Sequence, residues 1–139
     1  MNKKTQILLV EDNPADVQLM RLTLSALTDQ VQMTHYANGW ELMQQLPTLE
    51  ASSIQLILLD LNMPRMGGIE TLQQLHQYAD WCKVPIIIFT SSAAQQDIDR
   101  CYQLGANDYI NKPMDYDKFS ETVQHILESW TGVTTSTGA

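Results

Sequence analysis

Four short apolar runs, each followed directly by a polar or charged residue, constrain the fold of this chain most strongly. The residues that follow these runs are Glu11 with Asp12, Asp60, Thr90 and Lys112. If the runs are parallel strands of one sheet, their ends meet along one edge, where open α/β sheets place their ligands. Three carboxylates, a hydroxyl and an ammonium would then share one pocket. Such a set suits a divalent cation and a phosphoryl group.

The alternation of apolar runs with longer amphipathic stretches indicates repeated βα units. We predict strands at 6–11, 31–36, 54–60, 84–90 and 107–111, and helices at 14–28, 39–48, 67–79, 94–104 and 114–130. The third and fourth strands are almost continuously apolar, as in central strands covered on both faces, whereas the second alternates and suits an edge. Right-handed crossovers then favour a flavodoxin-like (βα)5 three-layer sandwich, with a five-stranded parallel sheet in the order 2-1-3-4-5.

The chain has 139 residues, and its composition restricts its class. One domain is expected over 1–130, followed by a flexible tail of small polar residues over 131–139. The net charge of -8, with only eight Lys and Arg, disfavours nucleic-acid binding. No apolar run approaches the roughly 20 residues of a membrane helix. The start does not resemble a signal peptide, so we expect a soluble cytoplasmic protein without a membrane association.

Three acids in one cleft would repel each other, and a divalent cation would relieve this repulsion. Oxygen ligands suit Mg²⁺, which binds one or two carboxylates and keeps several waters. We predict Asp12 and Asp60 as direct ligands and Glu11 as a ligand through water. The backbone carbonyl of Asn62 could complete the protein part of the shell.

A carboxylate can also act as the nucleophile in phosphoryl transfer, which produces an aspartyl phosphate. Asp60 suits this role better than Asp12, because it ends a central strand and leads into an Asn-Met-Pro loop rather than directly into a helix. Lys112 would supply a positive charge to the phosphoryl oxygens, and Thr90 a hydroxyl donor.

Each of these residues also has a simpler structural interpretation. Asp12 could complement a helix N-terminus, Asp60 could be a turn residue, and Thr90 could be a loop hydroxyl. Lys112 could be a solvated charge before Pro113. The functional interpretation depends on all four lying at the ends of the same kind of element.

In order and spacing, these segments resemble the receiver domains of two-component response regulators. The matching segments are Leu8-Leu9-Val10-Glu11-Asp12, Leu58-Leu59-Asp60-Leu61-Asn62-Met63-Pro64 with Gly67-Gly68, Phe89-Thr90-Ser91, and Gly105-Ala106-Asn107-Asp108-Tyr109-Ile110-Asn111-Lys112-Pro113. The resemblance covers about residues 5–130. It implies that Asp60 accepts phosphate from a phosphohistidine on a sensor histidine kinase.

The resemblance also implies roles for the other residues of the pocket. Glu11 and Asp12 would hold Mg²⁺ together with Asp60. Thr90 and Lys112 would contact the phosphoryl group. The Lys112–Pro113 peptide bond would be cis, and Tyr109 would be a switch residue whose rotamer is coupled to Thr90.

Within this family, the sequence is most similar to the small regulators paired with bacterial and cyanobacterial phytochromes. The output would be a changed surface that binds a downstream protein or phosphotransfer partner. The family suggests a homodimer through the helix 4, strand 5 and helix 5 face, near Phe119 and Trp130. These two side chains could equally well only cover the sheet.

Two functions from other classes compete with a stand-alone receiver. A small Mg²⁺-dependent phosphatase of haloacid-dehalogenase type also places an aspartate nucleophile after an apolar strand, although its usual second acid is replaced by Asn62. That enzyme would turn over a phosphate ester, whereas a receiver would stop near one phosphate per chain. A flavin-binding module is the third alternative, but the acidic loop at Glu11 and Asp12 would repel the flavin phosphate.

Overall fold

The computed structural model describes residues 4–135 and contains a five-stranded parallel sheet flanked by five helices. The strands are β1 (Thr5–Val10), β2 (Val31–Tyr36), β3 (Ile54–Leu59), β4 (Ile86–Thr90) and β5 (Asp108–Asn111). The helices are α1 (Pro14–Leu27), α2 (Gly39–Gln45), α3 (Gly68–Leu75), α4 (Gln95–Gln103) and α5 (Tyr116–Trp130). The strand order β2-β1-β3-β4-β5 confirms the predicted flavodoxin-like topology.

The apolar pattern of each strand determines its place in the sheet. All five residues of β4 are buried, and β3 is buried except at Gln55. These two strands lie inside the sheet, whereas the alternating β2 forms an edge, as predicted. Because β1 and β3 are neighbours with Val10 opposite Leu59, the residues that follow these two strands come out side by side.

The sheet separates two hydrophobic cores, one on each face. Along β1, Ile7 and Leu9 pack into the core beneath α1 and α5, whereas Leu8 and Val10 pack into the opposite core. Phe119 is 3% exposed and lies in the α1 and α5 core, with its ring centroid 5.6 Å from that of Phe89. Of the two alternatives for Phe119, the structure therefore favours the one in which its ring covers the sheet.

Side-chain caps explain where two of the helices begin. Asn13 accepts hydrogen bonds from the backbone N–H groups of Ala15 and Asp16 at the start of α1, and Pro14 occupies the first helical position. Asn38 accepts from the N–H of Glu41, whose side chain accepts from the N–H of Ala37 in return. Each cap fixes the start of a helix that follows a strand at the carboxyl edge of the sheet.

Two helices end earlier than predicted. The stretch 39–48 is helical only to Gln45, because Pro47 cannot continue the α-helical hydrogen bonds and the chain forms a 3-10 turn over Leu46–Thr48. Likewise α3 ends at Leu75, and the chain then turns into the 3-10 helix Trp81–Lys83, which buries Trp81.

The predicted tail begins inside the described part of the chain. Thr131 Oγ1 donates to the carbonyl of Leu127, and Thr135 Oγ1 lies 2.9 Å from Glu128 Oε2. Residues 136–139 lie outside the described residues, so the flexibility of 131–139 stays a prediction. None of the helices within 4–135 is long and apolar enough to cross a membrane.

Candidate functional site

Three carboxylates come together at the carboxyl ends of β1 and β3. Glu11, Asp12 and Asp60 each offer an oxygen, and these oxygens lie within 4.8 Å of one another. Glu11 and Asp60 are buried, whereas Asp12 is exposed. A cluster with two buried acids and one open side can take a hydrated divalent cation from solvent, since all of its donors are oxygens.

The β5 end supplies the positive charge of the site. Lys112 follows β5, and its backbone N–H donates to the Thr90 carbonyl at 2.8 Å. Its Nζ contacts Glu11 Oε1 and lies 2.9 Å from Asp16 Oδ2 and 3.3 Å from Asp60 Oδ2. The ammonium is thus shared among three carboxylates, with Asp60 the most distant.

Burial and charge shift the pKa values of this pair. Burial raises the pKa of Glu11 to about 7, and nearby Asp60 adds to this effect, although the hydrogen bond from Lys112 opposes it. Burial alone would lower the pKa of Lys112, but its hydrogen bonds to Glu11 and Asp16, together with the negative charges of Asp60 and Glu11, outweigh burial and raise that pKa above its usual value. Lys112 therefore stays charged at neutral pH, whereas Glu11 can take up a proton.

The two oxygens of Asp60 have different environments. Its Oδ1 accepts a hydrogen bond from the N–H of Leu61 at 2.8 Å, and its Oδ2 faces Lys112. The following turn is tight, because a Cβ on Gly68 would lie 2.3 Å from the Asp60 carbonyl oxygen. Asn62 is exposed in the loop that leaves this turn. The carboxylate is thus held in one orientation at the base of the cleft.

Thr90 and Tyr109 lie on neighbouring strands at the same edge. Thr90 ends β4 and is fully buried, and its Oγ1 accepts from the N–H of Ser92 at 3.4 Å. The hydroxyl of Tyr109 donates to the Ser92 carbonyl at 2.8 Å. Asn111 Nδ2 donates to the same carbonyl, also at 2.8 Å. Tyr109 therefore reaches the residue two positions beyond Thr90, and Asn111 supports the same contact.

Two further residues contact this site without a signal in the sequence that identifies them. Asp16, in the first turn of α1, binds Lys112, a contact that no spacing in the sequence indicates because it joins α1 to the end of β5. His35, on the edge strand, places Nε2 2.7 Å from the Glu11 carbonyl oxygen. No sequence pattern identifies His35, because the contact depends on the pairing of β1 with β2.

No peptide bond within residues 4–135 is cis, so the Lys112–Pro113 bond is trans. The expectation of a cis bond is therefore wrong. The trans form of an X-Pro bond is favoured by about 0.5–1 kcal/mol, and Lys112 makes its carboxylate contacts in that form.

The sequence also matches a protein family, described as Response regulator receiver domain, over residues 7–124. The chain belongs to this family. Receiver domains of response regulators are signalling proteins rather than true enzymes, and the phosphatase alternative is not favoured.

Two relatives of this receiver domain match along nearly its whole length. Response regulator Rcp1 of Synechocystis sp. is 33% identical over 133 residues, which are 93% of this chain and 90% of Rcp1. The probable methanogenesis regulatory protein FilR2 of Methanothrix harundinacea is 30% identical over 135 residues, which are 95% of this chain and 87% of FilR2.

Two solved structures are similar to this receiver domain. The phosphorylated cyanobacterial phytochrome response regulator RcpA superposes with a TM-score of 0.85 at 31% identity, covering 96% of this chain and 99% of RcpA. The Mn²⁺-bound form of Rcp1 superposes with a TM-score of 0.81 at 31% identity, covering 95% of this chain and 99% of that one. The acidic cluster of this receiver domain has the oxygen donors that Mg²⁺ or Mn²⁺ prefers.

Proposed function

We propose that this receiver domain accepts a phosphoryl group on Asp60 and thereby switches a protein-binding surface. The observation that carries this proposal is the position of Asp60. Its Oδ1 is oriented by the Leu61 N–H, and its Oδ2 lies 3.3 Å from the Lys112 ammonium within a cluster of three acids. A nucleophile, a fixed positive charge and a cation site in one cleft are the parts that phosphoryl transfer requires.

Mg²⁺ is the cation that we propose for the acidic cluster. Asp12 and Asp60 would bind it directly, Glu11 would bind it through water, and the backbone carbonyl of Asn62 would add a ligand. When bound, the ion would neutralise charge on the phosphoryl oxygens. The all-oxygen donor set and the Mn²⁺-bound form of Rcp1 support this assignment.

The remaining residues would act on the phosphoryl group itself. An Asp60 oxygen attacks phosphorus, the bond from phosphorus to the donor imidazole nitrogen breaks, and its electron pair leaves with the imidazole. Lys112 would hold one phosphoryl oxygen by charge, and the Thr90 hydroxyl would donate to another. Tyr109, whose hydroxyl contacts the Ser92 carbonyl, would carry the change to the surface as the switch residue.

The partners proposed from sequence are a sensor histidine kinase and a downstream protein or phosphotransfer partner, all in the cytoplasm. We further propose a phytochrome-type kinase as donor, because RcpA is a cyanobacterial phytochrome response regulator with a similar structure. A homodimer would form through α4, β5 and α5, where Tyr102 and Tyr116 are exposed. Incubating the receiver with a panel of phosphorylated kinases would test the donor. Size-exclusion chromatography of the phosphorylated receiver would test the homodimer.

Intact mass after incubation with acetyl phosphate and Mg²⁺, with EDTA as control, tests the function directly. We expect one added phosphate that requires Mg²⁺ and is lost in Asp60→Asn. The matched control is Asp80→Asn, which removes an exposed acid that the structure places outside the cluster. Full labelling of Asp60→Asn would contradict the assignment. Repeated turnover of a generic phosphate ester would instead support the phosphatase alternative.

A further inference from the structure

The loop that follows Asp60 is attached to α2 as well as to its own strand. The N–H of Gly39, the first residue of α2, donates to the carbonyl of Met66 at 3.0 Å. A Cβ on Gly39 would lie 1.8 Å from Thr71 Oγ1 and 2.9 Å from the Met66 side chain. The backbone of α2 therefore packs directly against the outer half of the loop 61–67, which only a glycine permits.

Arg65 makes the second contact between this loop and α2. Its Cζ lies 3.8 Å from the centroid of the Trp40 ring, which is the geometry of a cation–π contact. Trp40 is exposed over 39% of its surface, so the indole is free to hold the guanidinium at the protein surface. The contact thus joins two exposed side chains that no hydrophobic core would otherwise hold together.

The backbone of Arg65 is unusual. Its φ is +68°, and it is the one residue other than glycine within 4–135 with a positive φ. A residue with a Cβ adopts this left-handed conformation at a cost, and such outliers persist where the surroundings determine them. Three interactions hold the outer half of the loop in this shape: the Trp40 contact, the Gly39 hydrogen bond, and a hydrogen bond across Arg65 from the Met66 N–H to the Pro64 carbonyl at 2.8 Å.

The same loop carries one of the cation ligands proposed above, the Asn62 carbonyl, and begins directly after another, Asp60. Asn62 lies three residues before Arg65, and the base of the loop is closed by a hydrogen bond from Gly68 N–H to the Leu61 carbonyl at 2.9 Å. The inner half is thus attached at Leu61 and the outer half at Arg65. Between these points the exposed Asn62 has to present its carbonyl to the ion.

We propose that Arg65 and Trp40 form a clamp that positions the loop 61–67 for the divalent cation, which makes both of them positioning residues. This inference rests on the proposed cation site. Loss of the clamp leaves the outer half of the loop attached only by its backbone hydrogen bonds, so the loop is looser and metal binding has to order Asn62 more fully. Metal binding and the α2 contact therefore stabilise each other, and the ion alters the environment of the Trp40 indole.

The binding of Mn²⁺ alone, measured by the paramagnetic resonance signal of the free ion, tests the clamp without any phosphoryl donor. We expect Trp40→Ala and Arg65→Ala each to raise the Kd by about two- to fivefold, the scale of an exposed cation–π contact. The Kd of the double variant should match those of the single variants, since either change removes the same contact. Arg65→Ala keeps a Cβ at the strained position, so it isolates the guanidinium.

Controls separate the clamp from a general loss of structure. Tyr78→Ala removes a ring of similar exposure, 48% against 39%, outside the loop, and should bind Mn²⁺ like the wild type. Trp40→Phe and Arg65→Lys keep weaker forms of the contact and should recover part of the affinity. With 5-fluorotryptophan, the ¹⁹F signal of Trp40 should shift on Mg²⁺ addition in the wild type and shift less in Arg65→Ala.

The outcomes are distinguishable. Wild-type affinity in both single variants would overturn the clamp and leave the cation site intact. If the increases in Kd of the two single variants multiplied in the double variant, the clamp would also be overturned, because the two residues would then act independently. Failure of the wild type to bind Mn²⁺ would overturn the proposed cation site, and the clamp with it.

Discussion

Lys112 Nζ lies closer to Asp16 on α1, at 2.9 Å from Oδ2, than to Asp60, at 3.3 Å. Asp16 stands outside the cluster of Glu11, Asp12 and Asp60 that offers oxygens to a cation. When an ion occupies that cluster, Asp16 keeps its charge available to Lys112. The pair therefore holds the ammonium beside Asp60, the proposed nucleophile, and we expect it to do so with metal bound as well.

Asp16→Asn should slow formation of the acyl phosphate. Asp16 is about a third exposed, and such an ion pair contributes about 0.2–1 kcal/mol, so we expect the rate to fall by up to about fivefold. The measurement is the initial rate of phosphate incorporation by intact mass at saturating Mg²⁺.

Asp117→Asn is the matched control for this prediction. Asp117 is also an acid in the first turn of a helix, so it carries the same helix-dipole effect, but it lies on α5 and is exposed. Asp16→Glu should keep part of the rate. An unchanged rate in Asp16→Asn would show that Lys112 needs no anchor on α1.

Without metal, the protein should lose stability as the pH rises from about 4.5 to about 7. The pKa of Glu11 is raised from 4.5 to about 7 in the folded state, so the folded state binds this proton more tightly than the unfolded state does. The corresponding contribution is present below the unfolded pKa and is lost as the pH rises through the folded one. Its size is up to about 3 kcal/mol at 1.36 kcal/mol per pKa unit.

Urea unfolding at pH 5 and pH 8 in EDTA measures this loss. Glu11→Gln serves as the control. It removes the titrating group, so the free energy of unfolding should differ less between pH 5 and pH 8. Mg²⁺ should restore stability at pH 8, since the ion binds the ionised cluster. An equal loss in Glu11→Gln would assign the pH dependence to other groups.

Tyr109→Phe should weaken the β4–α4 connection without freeing it. The variant removes the hydroxyl that donates to the Ser92 carbonyl, but Asn111 Nδ2 still donates to the same oxygen. We expect a loss of about 0.5–1.5 kcal/mol in the free energy of unfolding. Combined with Asn111→Ala, the loss should exceed the sum of the single losses, because the half-buried carbonyl then has neither donor.

Tyr116→Phe is the control for the hydroxyl, since Tyr116 is 51% exposed. Urea unfolding of all four variants gives the comparison. If the losses in free energy of unfolding at Tyr109 and Asn111 were strictly additive, the two side chains would act separately on the Ser92 carbonyl.

Gly39→Ala should destabilise the fold, although alanine is ordinarily favoured over glycine in helices by about 1 kcal/mol. The new methyl would overlap Thr71 Oγ1, and Thr71 is fully buried with its hydroxyl bonded to the Gly67 carbonyl. We expect a loss of about 1–3 kcal/mol, the usual cost of overpacking.

Gly132→Ala provides a contrast for this prediction. A Cβ there meets nothing within 4 Å, so only the φ of +72° penalises the change. That penalty is about 1–2 kcal/mol in an ordered backbone and less near a chain end. In thermal unfolding, the Tm of Gly39→Ala should therefore be equal to or lower than that of Gly132→Ala. A higher Tm for Gly39→Ala would contradict the packing argument.

Local pattern determined most of the architecture. The continuous apolar runs predicted interior positions for β3 and β4, and the alternating run predicted an edge position for β2. These predictions are confirmed because burial on one or both faces of a sheet leaves a direct trace in the residue sequence. The ends of β1 and β3 could be predicted to meet for the same reason, and the structure brings Glu11, Asp12 and Asp60 together there.

The sequence by itself determined the elements, their order and the residue types at the strand ends. Tertiary structure alone decided which partner Lys112 takes on α1, that Arg65 lies over the Trp40 ring, and that Phe119 is buried against Phe89. These contacts join residues far apart in the chain through side-chain geometry, which leaves no periodic signal. A period describes which face of an element is buried, whereas a specific contact depends on how two elements pack.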